Sequence, residues 1–255
     1  MTRFFGFLYG VIAYAVFLAI GPYALGFILG VGTPTMLDGP VRSPLPIALA
    51  IDVALLGAFA IQHSGMARPA FKRWWTRIVP ESVERSTYVM VSNLLMIALF
   101  AWWQPIGPVL WRAPDGWPRN ALIGLNLLGW VILLWSTFLI DHFDLFGLKQ
   151  VWLKLTGRAP RQPRFHTPVL YRLVRHPLYV GWLTIFWAAP VMTLAHLVFC
   201  LGTTGYILIA IQLEERDLVD VFGASYVEYR RRTPMLIPRL GRRAGPADRS
   251  AQQRA

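Results

Sequence analysis

Residues 171–181 read Tyr-Arg-Leu-Val-Arg-His-Pro-Leu-Tyr-Val-Gly, a stretch that changes abruptly from a basic, polar run into an apolar one. Pro177 has no backbone N–H, so it suits the first position of a helix with Arg175 or His176 at the cap. The exposed N–H groups and positive dipole end of that helix, with Arg175 beside them, would hold a carboxylate. Gly181 would let a flat ligand approach the backbone closely. The stretch therefore predicts a helix that starts at a binding site for an anionic ligand.

The chain around this stretch is too apolar for a soluble domain. Of its 255 residues, 55% are hydrophobic and only 15% are charged, and the mean hydropathy is +0.46. These values indicate an integral membrane protein that is embedded in a lipid bilayer. The net charge of +12 does not indicate nucleic-acid binding, because no basic-aromatic platform accompanies it.

Six apolar stretches predict an all-α, polytopic membrane helix bundle with five to six transmembrane helices. The first stretch is too long for the apolar region of a signal peptide, so we expect an uncleaved helix. The six stretches cover residues 4–31, 45–65, 88–103, 121–140, 178–191 and 196–212.

The positive charges divide the loops into two sets. The loops at 32–44, 104–120 and 192–195 contain only Arg42, Arg112 and Arg119, and the other lysines and arginines lie in the intervening segments and the two ends. Cytoplasmic loops carry the excess of lysine and arginine in membrane proteins. The distribution predicts six crossings with both termini in the cytoplasm.

The last two apolar stretches are joined by only a few residues, so they should form a tight antiparallel hairpin. Its two cytoplasmic ends would then bring the basic start of one helix close to the acids Glu214 and Glu215. Residues 222–232 read as an amphipathic C-terminal helix. We expect one membrane domain over 1–238, with its cofactor half at about 141–238, and a disordered tail over 239–255.

Three segments at this boundary carry a specific resemblance. They are residues 175–181 (Arg-His-Pro-Leu-Tyr-Val-Gly), 214–218 (Glu-Glu-Arg-Asp-Leu) and 222–229 (Phe-Gly-Ala-Ser-Tyr-Val-Glu-Tyr). They resemble the cofactor signature of the isoprenylcysteine carboxyl methyltransferase superfamily, whose members are membrane enzymes that use S-adenosylmethionine. The resemblance implies this cofactor, with S-adenosylhomocysteine as its product.

Segments in the first two thirds of the chain narrow the resemblance. Residues 62–75, 84–88 and 141–148 are similar to those of the bacterial methanethiol S-methyltransferases, a branch related to the NnrU proteins, and the similarity runs over about 4–238. It implies transfer of a methyl group by an SN2 reaction to the thiolate of methanethiol, a small volatile thiol, giving dimethyl sulfide. It also implies an enzyme of the bacterial inner membrane with a cytoplasmic cofactor site.

The resemblance and the predicted hairpin together suggest the cofactor residues. Arg175 can grip the methionine carboxylate with two parallel hydrogen bonds. Glu214 or Glu215 can hold the amino group or the ribose hydroxyls, and residues of the tail helix can close the site. The predicted cofactor-binding residues are Arg175, His176, Tyr179, Gly181, Glu214, Glu215, Tyr226, Tyr229 and Arg230. Ion pairing among these acids and arginines at the membrane surface is the structural alternative.

The thiol half of the site is less sharply marked. A thiol needs a proton acceptor or nearby positive charge, because even a cysteine thiol titrates near about 8.5. His63 is one candidate base, and an interhelical hydrogen bond is its alternative role. His142 and Asp144 form a second candidate pair at a membrane boundary. Tyr88 could orient the substrate or favour the thiolate, or it could anchor its helix at the interface.

Other chemistries fit the residues less well. No His-Glu-x-x-His motif or cysteine pair with ligand spacing occurs, so we expect no metal. A larger thiol, a lipid or a prenylcysteine carboxylate is an alternative methyl acceptor. A non-enzymatic, NnrU-like membrane protein is the alternative from a different class.

Overall fold

The computed structural model describes residues 2–159 and 165–239, and this part of the chain forms a helix bundle. Five of its helices are long and apolar enough to cross a membrane, so the predicted all-α membrane bundle is confirmed. In chain order the elements are α1 (Thr2–Leu29), α2 (Leu45–Ala67), α3 (Pro69–Trp75), α4 (Glu81–Trp102), β1 (Val109–Arg112), α5 (Trp117–Ile140), α6 (His142–Leu145), α7 (Leu148–Thr156), α8 (Val169–Leu173), α9 (Pro177–Trp187), β2 (Val191–Thr193), α10 (Leu194–Phe222) and α11 (Ala224–Arg232).

The fifth apolar stretch forms the short helix α9. It has 11 residues, so it is about 16 Å long, roughly half of the hydrocarbon core of a bilayer. With the five long helices, it falls within the predicted five to six apolar helices, and the chain leaves α9 at Ala188 and continues into strand β2. Pro190 lacks a backbone N–H and suits this non-helical segment.

Strands β1 and β2 were not predicted from the sequence. They pair antiparallel, with Val109 opposite Thr193 and Trp111 opposite Met192. The pairing places the turn between α9 and α10 at the same end of the bundle as the loop between α4 and α5. Both strands are only three or four residues long, and a two-residue periodicity cannot be recognised over such a length.

A buried polar cluster adds the loop after α1 to this end. Asp38 accepts hydrogen bonds from the Thr193 hydroxyl at 2.5 Å and from His196 Nδ1 at 2.7 Å. His196 Nε2 contacts the carbonyl oxygen of Phe186 at 2.9 Å. The three poorly charged loops therefore meet at one end of the bundle, as their charge pattern predicts. His196 itself lies in the first turn of α10, at this end of the bundle.

Helices α5 and α9 pack at their glycines. A β-carbon on Gly129 would lie 2.9 Å from the carbonyl oxygen of Gly181, and one on Gly181 would lie 2.8 Å from the backbone nitrogen of Leu133. Asn126 Nδ2 also donates to the Ile185 carbonyl at 2.8 Å. The prediction that Gly181 lets a ligand approach is corrected here, because a helix occupies the space beside it.

The C-terminal part of the bundle extends the predicted hairpin. Helix α10 continues through Phe222, so Glu214 and Glu215 lie on the helix rather than after it. Gly223 then adopts a φ of +56°, and the predicted amphipathic helix follows as α11. The expected disordered tail, 239–255, lies outside the described residues except for Arg239.

Candidate active site

Helix α9 starts where the sequence predicts, with His176 as its cap and Pro177 in its first turn. The chain before it is tied to the segment after α11. The backbone nitrogens of Arg175 and His176 donate to the carbonyl oxygens of Pro234 and Met235 at 2.8 and 3.2 Å. The start of α9 and the C-terminal segment are therefore one local unit.

Glu215 is the centre of a buried charge network at this point. Its Oε1 accepts from Arg175 Nε at 2.6 Å and from His176 Nε2 at 3.0 Å. Arg230 Nη1 lies 3.9 Å from Oε2. A carboxylate only accepts hydrogen bonds, so His176 carries a proton on Nε2. The network confirms that the two ends of the hairpin are neighbours.

Arg175 is used differently from the prediction. Besides Glu215, its Nη1 donates to the carbonyl oxygens of Thr233 at 2.6 Å and Arg230 at 3.1 Å. Its side chain is only 11% exposed. The guanidinium therefore already holds Glu215 and the end of α11, which leaves the more exposed Arg230 as a cation at the rim of this cluster.

Glu214 lies beside this network but is open to a ligand. Its side chain is 44% exposed, against 6% for that of Glu215. Oε2 accepts from the Tyr179 hydroxyl at 3.0 Å and lies 3.9 Å from His176 Nδ1. The two adjacent acids thus have different environments, since one faces a buried ion pair and the other is half exposed.

An aromatic group covers the other side of the network. Phe165 packs within 5.4–6.0 Å, between ring centroids, of Phe222, Tyr226 and Tyr229. The Tyr229 hydroxyl donates to the Tyr171 carbonyl at 2.5 Å. The Tyr226 hydroxyl is buried and has no partner among the described residues. Burial raises the pKa of both tyrosines, so both stay neutral donors.

Phe165 was missed by sequence reasoning. It lies in a loop between α7 and α8, and no periodicity or motif marks it. The only available signal was an aromatic residue within an otherwise basic and polar segment.

The second cluster joins α2 and α4 through His63. Ser92 Oγ donates its one proton to Gln62 Oε1 or to the Tyr88 carbonyl, at 3.1 and 3.0 Å. The Ser92 oxygen therefore accepts from His63 Nδ1, at 3.2 Å. His63 Nε2 is then the unprotonated nitrogen and accepts from the Tyr88 hydroxyl at 2.8 Å. His63 is an interhelical hydrogen-bond partner and also holds a basic nitrogen against a phenol.

Cations accompany the phenol of Tyr88. The Arg85 guanidinium lies 4.7 Å from the centre of the Tyr88 ring, within cation–π distance. Arg68, at the end of α2, forms an ion pair with Asp217 of α10 at 2.8 Å. Tyr88 is close enough to Arg85, Arg68 and Glu214 to interact with all three electrostatically.

Tyr206 and Tyr179 connect the two clusters. The Glu214 carboxylate lies close enough to Tyr179, Tyr88 and Tyr206 to act on all three phenols electrostatically. Tyr206 accepts a hydrogen bond from Ser64 Oγ at 3.2 Å. The fold thus brings the predicted cofactor residues Tyr179 and Glu214 and the predicted thiol residues His63 and Tyr88 to one place. Tyr206 was not predicted, because a lone tyrosine in an apolar stretch has an ordinary structural explanation.

The other candidate pair does not form. His142 is buried, and its Nε2 and Nδ1 contact the hydroxyls of Tyr14 and Thr137, each at 2.8 Å. Asp144 is 52% exposed and lies 3.7 Å from Lys149 Nζ. Helix α6 is one turn long, so positions two apart point in different directions. The prediction of a His142–Asp144 pair is corrected: neither residue contacts the other.

His142 is nevertheless near the edge of the thiol cluster. Its ring lies 4.9 Å from that of Phe146, and Phe146 packs against the small apolar cluster that contains Tyr88. Burial lowers the pKa of His142, which favours the neutral ring. An aromatic layer therefore separates His142 from Tyr88, whereas His63 contacts Tyr88 directly.

Comparisons with known proteins cover nearly the whole chain. A methanethiol S-methyltransferase from Crocosphaera subtropica is 51% identical over 244 residues, which is 96% of each chain. One from Mycobacterium tuberculosis is 47% identical over 240 residues, 93% of this chain and 98% of that protein. Nurim from Rattus norvegicus is 32% identical over 184 residues, 67% and 68% of the two chains. No family model and no solved structure matches. The chain belongs to the family of the methanethiol S-methyltransferases.

Proposed function

We propose that this chain is a multi-pass membrane enzyme that methylates methanethiol with S-adenosylmethionine, giving dimethyl sulfide, S-adenosylhomocysteine and a proton. One observation carries the proposal: relatives of this name align over almost the full chain. The meeting of an acid-aromatic cluster with a histidine–tyrosine cluster supports it, because the reaction needs a site for a charged cofactor beside a proton acceptor.

The residues at the base of the hairpin fit the proposed cofactor. Glu214, whose carboxylate is half exposed, would bind the ammonium group or the ribose hydroxyls of the cofactor. A carboxylate would suit Arg230, which is partly exposed and lies 3.9 Å from Glu215. An adenine ring would suit the aromatic group, and the buried Tyr226 hydroxyl has a proton to donate to it. When bound, S-adenosylmethionine supplies a methyl group on a positively charged sulfur.

Glu215, His176 and Arg175 have a supporting role in this proposal. They bond to each other and to the end of α11, so they hold the exposed groups in place. Arg175 moves from direct carboxylate binding to positioning, because its Nε and Nη1 donors already hold Glu215 and the end of α11.

The thiol is activated by Tyr88 and His63. The Tyr88 hydroxyl donates to His63 Nε2, so its oxygen can take the thiol proton as its own proton passes to the histidine. Arg85 lies 4.7 Å from the centre of the Tyr88 ring, and this positive charge favours a thiolate beside the phenol. An apolar membrane site then favours the charge-cancelling reaction of a thiolate with a cation.

The proposed location is the bacterial inner membrane, with the cofactor site facing the cytoplasm. The support is the charge distribution: the segments at the hairpin base carry most lysines and arginines, and the opposite loops carry few.

Headspace gas chromatography of the purified protein with methanethiol and S-adenosylmethionine tests the proposal. His63→Ala and Tyr88→Phe should lower kcat about a hundredfold, as for loss of a general base. Both should keep the affinity for S-adenosylhomocysteine measured by calorimetry. Tyr23→Phe is the control, since it removes a hydroxyl that bonds Thr35 at the other end of the bundle. A wild-type protein that binds S-adenosylhomocysteine but forms no dimethyl sulfide would contradict the proposed substrate.

A further inference from the structure

Three tyrosine side chains from three helices meet where the two clusters join. Tyr88 comes from α4, Tyr179 from α9 and Tyr206 from α10. The Glu214 carboxylate lies close enough to act electrostatically on all three phenols, and Ser64 ties Tyr206 to the helix that carries His63, the partner of Tyr88. These residues therefore form one compact group, which we call the tyrosine cluster.

The three hydroxyl protons differ in their acceptors. The Tyr88 proton goes to His63 Nε2 at 2.8 Å, and the Tyr179 proton goes to Glu214 Oε2 at 3.0 Å. The Tyr206 oxygen instead accepts a proton from Ser64 Oγ at 3.2 Å. Within residues 2–159 and 165–239, no acceptor faces the proton of Tyr206 itself. Tyr206 is only partly buried, so its O–H group is available to donate to a ligand atom.

The ring of Tyr206 forms a wall as well as carrying this donor. It packs edge-on against Phe59, with 6.4 Å between centroids, and Phe59 stacks on His63 at 5.0 Å. Ser64 follows His63 directly, so its hydrogen bond fixes the Tyr206 ring against the helix that carries the proposed base. The Tyr206 ring therefore lies beside the turn of α2 that carries His63, the hydrogen-bond partner of Tyr88.

We propose that Tyr206 is a catalytic and specificity-determining residue of the thiol site, whose hydroxyl donates to the substrate sulfur and whose ring limits the length of the alkyl group. The inference rests on the proposed function and adds the residue that contacts the sulfur. A thiolate is a strong acceptor with one charge, and a hydrogen bond to a charged atom is worth more than a neutral one. An aromatic wall beside a one-carbon substituent excludes longer chains by direct contact.

The proton balance is simple. The thiol S–H bond breaks, its proton goes to the Tyr88 oxygen, and the proton of Tyr88 goes to His63 Nε2. The electron pair stays on sulfur, where the Tyr206 hydroxyl donates to it. Tyr206 itself gains and loses no proton in this step.

Tyr206→Phe tests the hydroxyl. It should lower kcat/KM for methanethiol by about tenfold to a hundredfold, as for loss of one hydrogen bond to a charged atom, with unchanged affinity for S-adenosylhomocysteine. The pH at which kcat/KM reaches half its maximum should rise, because the thiolate loses a donor. The charged and titratable groups around Tyr206 and the neighbouring Tyr88 are Arg68, Arg85, His63, Tyr179 and Glu214, and all of them are unchanged in this variant.

Tyr206→Ala tests the ring. The ratio of kcat/KM for 1-propanethiol to that for methanethiol should rise at least about tenfold, since one methylene is worth about that much in an apolar pocket. Tyr23→Phe is the matched control for both variants, and it should leave the ratio and the pH profile as in the wild type. Binding of S-adenosylhomocysteine reports whether each variant is folded. If Tyr206→Ala does not bind it, the proposal is tested by Tyr206→Phe.

The two proposals fail in different ways. If the wild type forms no dimethyl sulfide, the proposed function fails whatever Tyr206 does. If the wild type is active and Tyr206→Phe keeps its kcat/KM and pH profile, the role of the hydroxyl is overturned. An unchanged thiol ratio in a folded Tyr206→Ala overturns the role of the ring.

Discussion

Adjacent residues Glu214 and Glu215 differ in what they contact, so we expect substitutions at the two positions to have different effects. Glu215→Gln removes the charge that balances the buried Arg175 and His176. Leaving a buried charge unpaired costs about 3 kcal/mol or more, so we expect a clear fall in the melting temperature. Thermal unfolding of the detergent-solubilised protein measures it.

Glu214→Gln is the matched comparison, because its carboxylate is half exposed and its partner is a neutral phenol. It should unfold close to the wild-type temperature and bind S-adenosylhomocysteine more weakly in a calorimetric titration. Equal melting temperatures for the two variants would contradict the separation of a supporting acid from a binding acid.

His142 predicts a dependence of stability on pH. Burial lowers its pKa in the folded protein below the value near 6.5 of an exposed histidine. The unfolded chain then binds more protons, so this contribution is complete above about pH 6.5 and is lost as the pH falls further. Melting temperatures between pH 5 and 8 should show this decline.

His142→Gln keeps a polar side chain for the Tyr14 and Thr137 hydroxyls but cannot titrate. Its melting temperature should depend less steeply on pH below 6.5 than that of the wild type. A slope as steep as in the wild type would assign the acid sensitivity to other groups.

At the scale of elements, the packing of α5 against α9 sets the position of the hairpin. Gly129→Ala would place a β-carbon 2.8 Å from the Ile185 side chain and 2.9 Å from the Gly181 carbonyl. Overpacking costs about 1–3 kcal/mol, so we expect a lower melting temperature and, because α9 carries Tyr179, lower methyl transfer.

Gly124→Ala is its control on the same helix, since a β-carbon there meets nothing within 4 Å. This change should leave activity intact and raise stability by up to about 1 kcal/mol through helix propensity. If both variants behaved alike, close packing of α5 and α9 would not be what positions the hairpin.

The element scale also shows what local patterns predict well. The start of α9 at Pro177, the hairpin and the helix α11 follow from a proline, a short connection and a change in polarity, all of them local signals. The length of α9 was not predictable in this way. It ends because the chain pairs β2 with β1, and that partner lies some 80 residues earlier.

At the scale of the whole molecule, the charge asymmetry predicts an orientation that single cysteines can test. Cys200 is the only cysteine and is buried, so a Cys200→Ala background is suitable. Asp115, whose side chain is 97% exposed, lies in the loop between α4 and α5, and Ser225 is exposed on α11.

An impermeant thiol reagent applied to intact cells should label Asp115→Cys and leave Ser225→Cys unlabelled until the cells are opened. The reverse pattern would place the cofactor site on the outer side of the membrane and contradict the proposed location.

The amino-acid sequence by itself determined the apolar helices, the grouping of the loops and the residues at the base of the hairpin. Hydropathy, charge and short motifs are properties of local segments, so they can be read without coordinates. Only the tertiary structure decided that Arg175 holds Glu215, that Gly181 faces α5, that His142 and Asp144 stay apart and that Tyr206 joins the two clusters. Each of these depends on which side chains from distant helices meet, and in a bundle that is decided by packing between helices rather than by the pattern within any one of them.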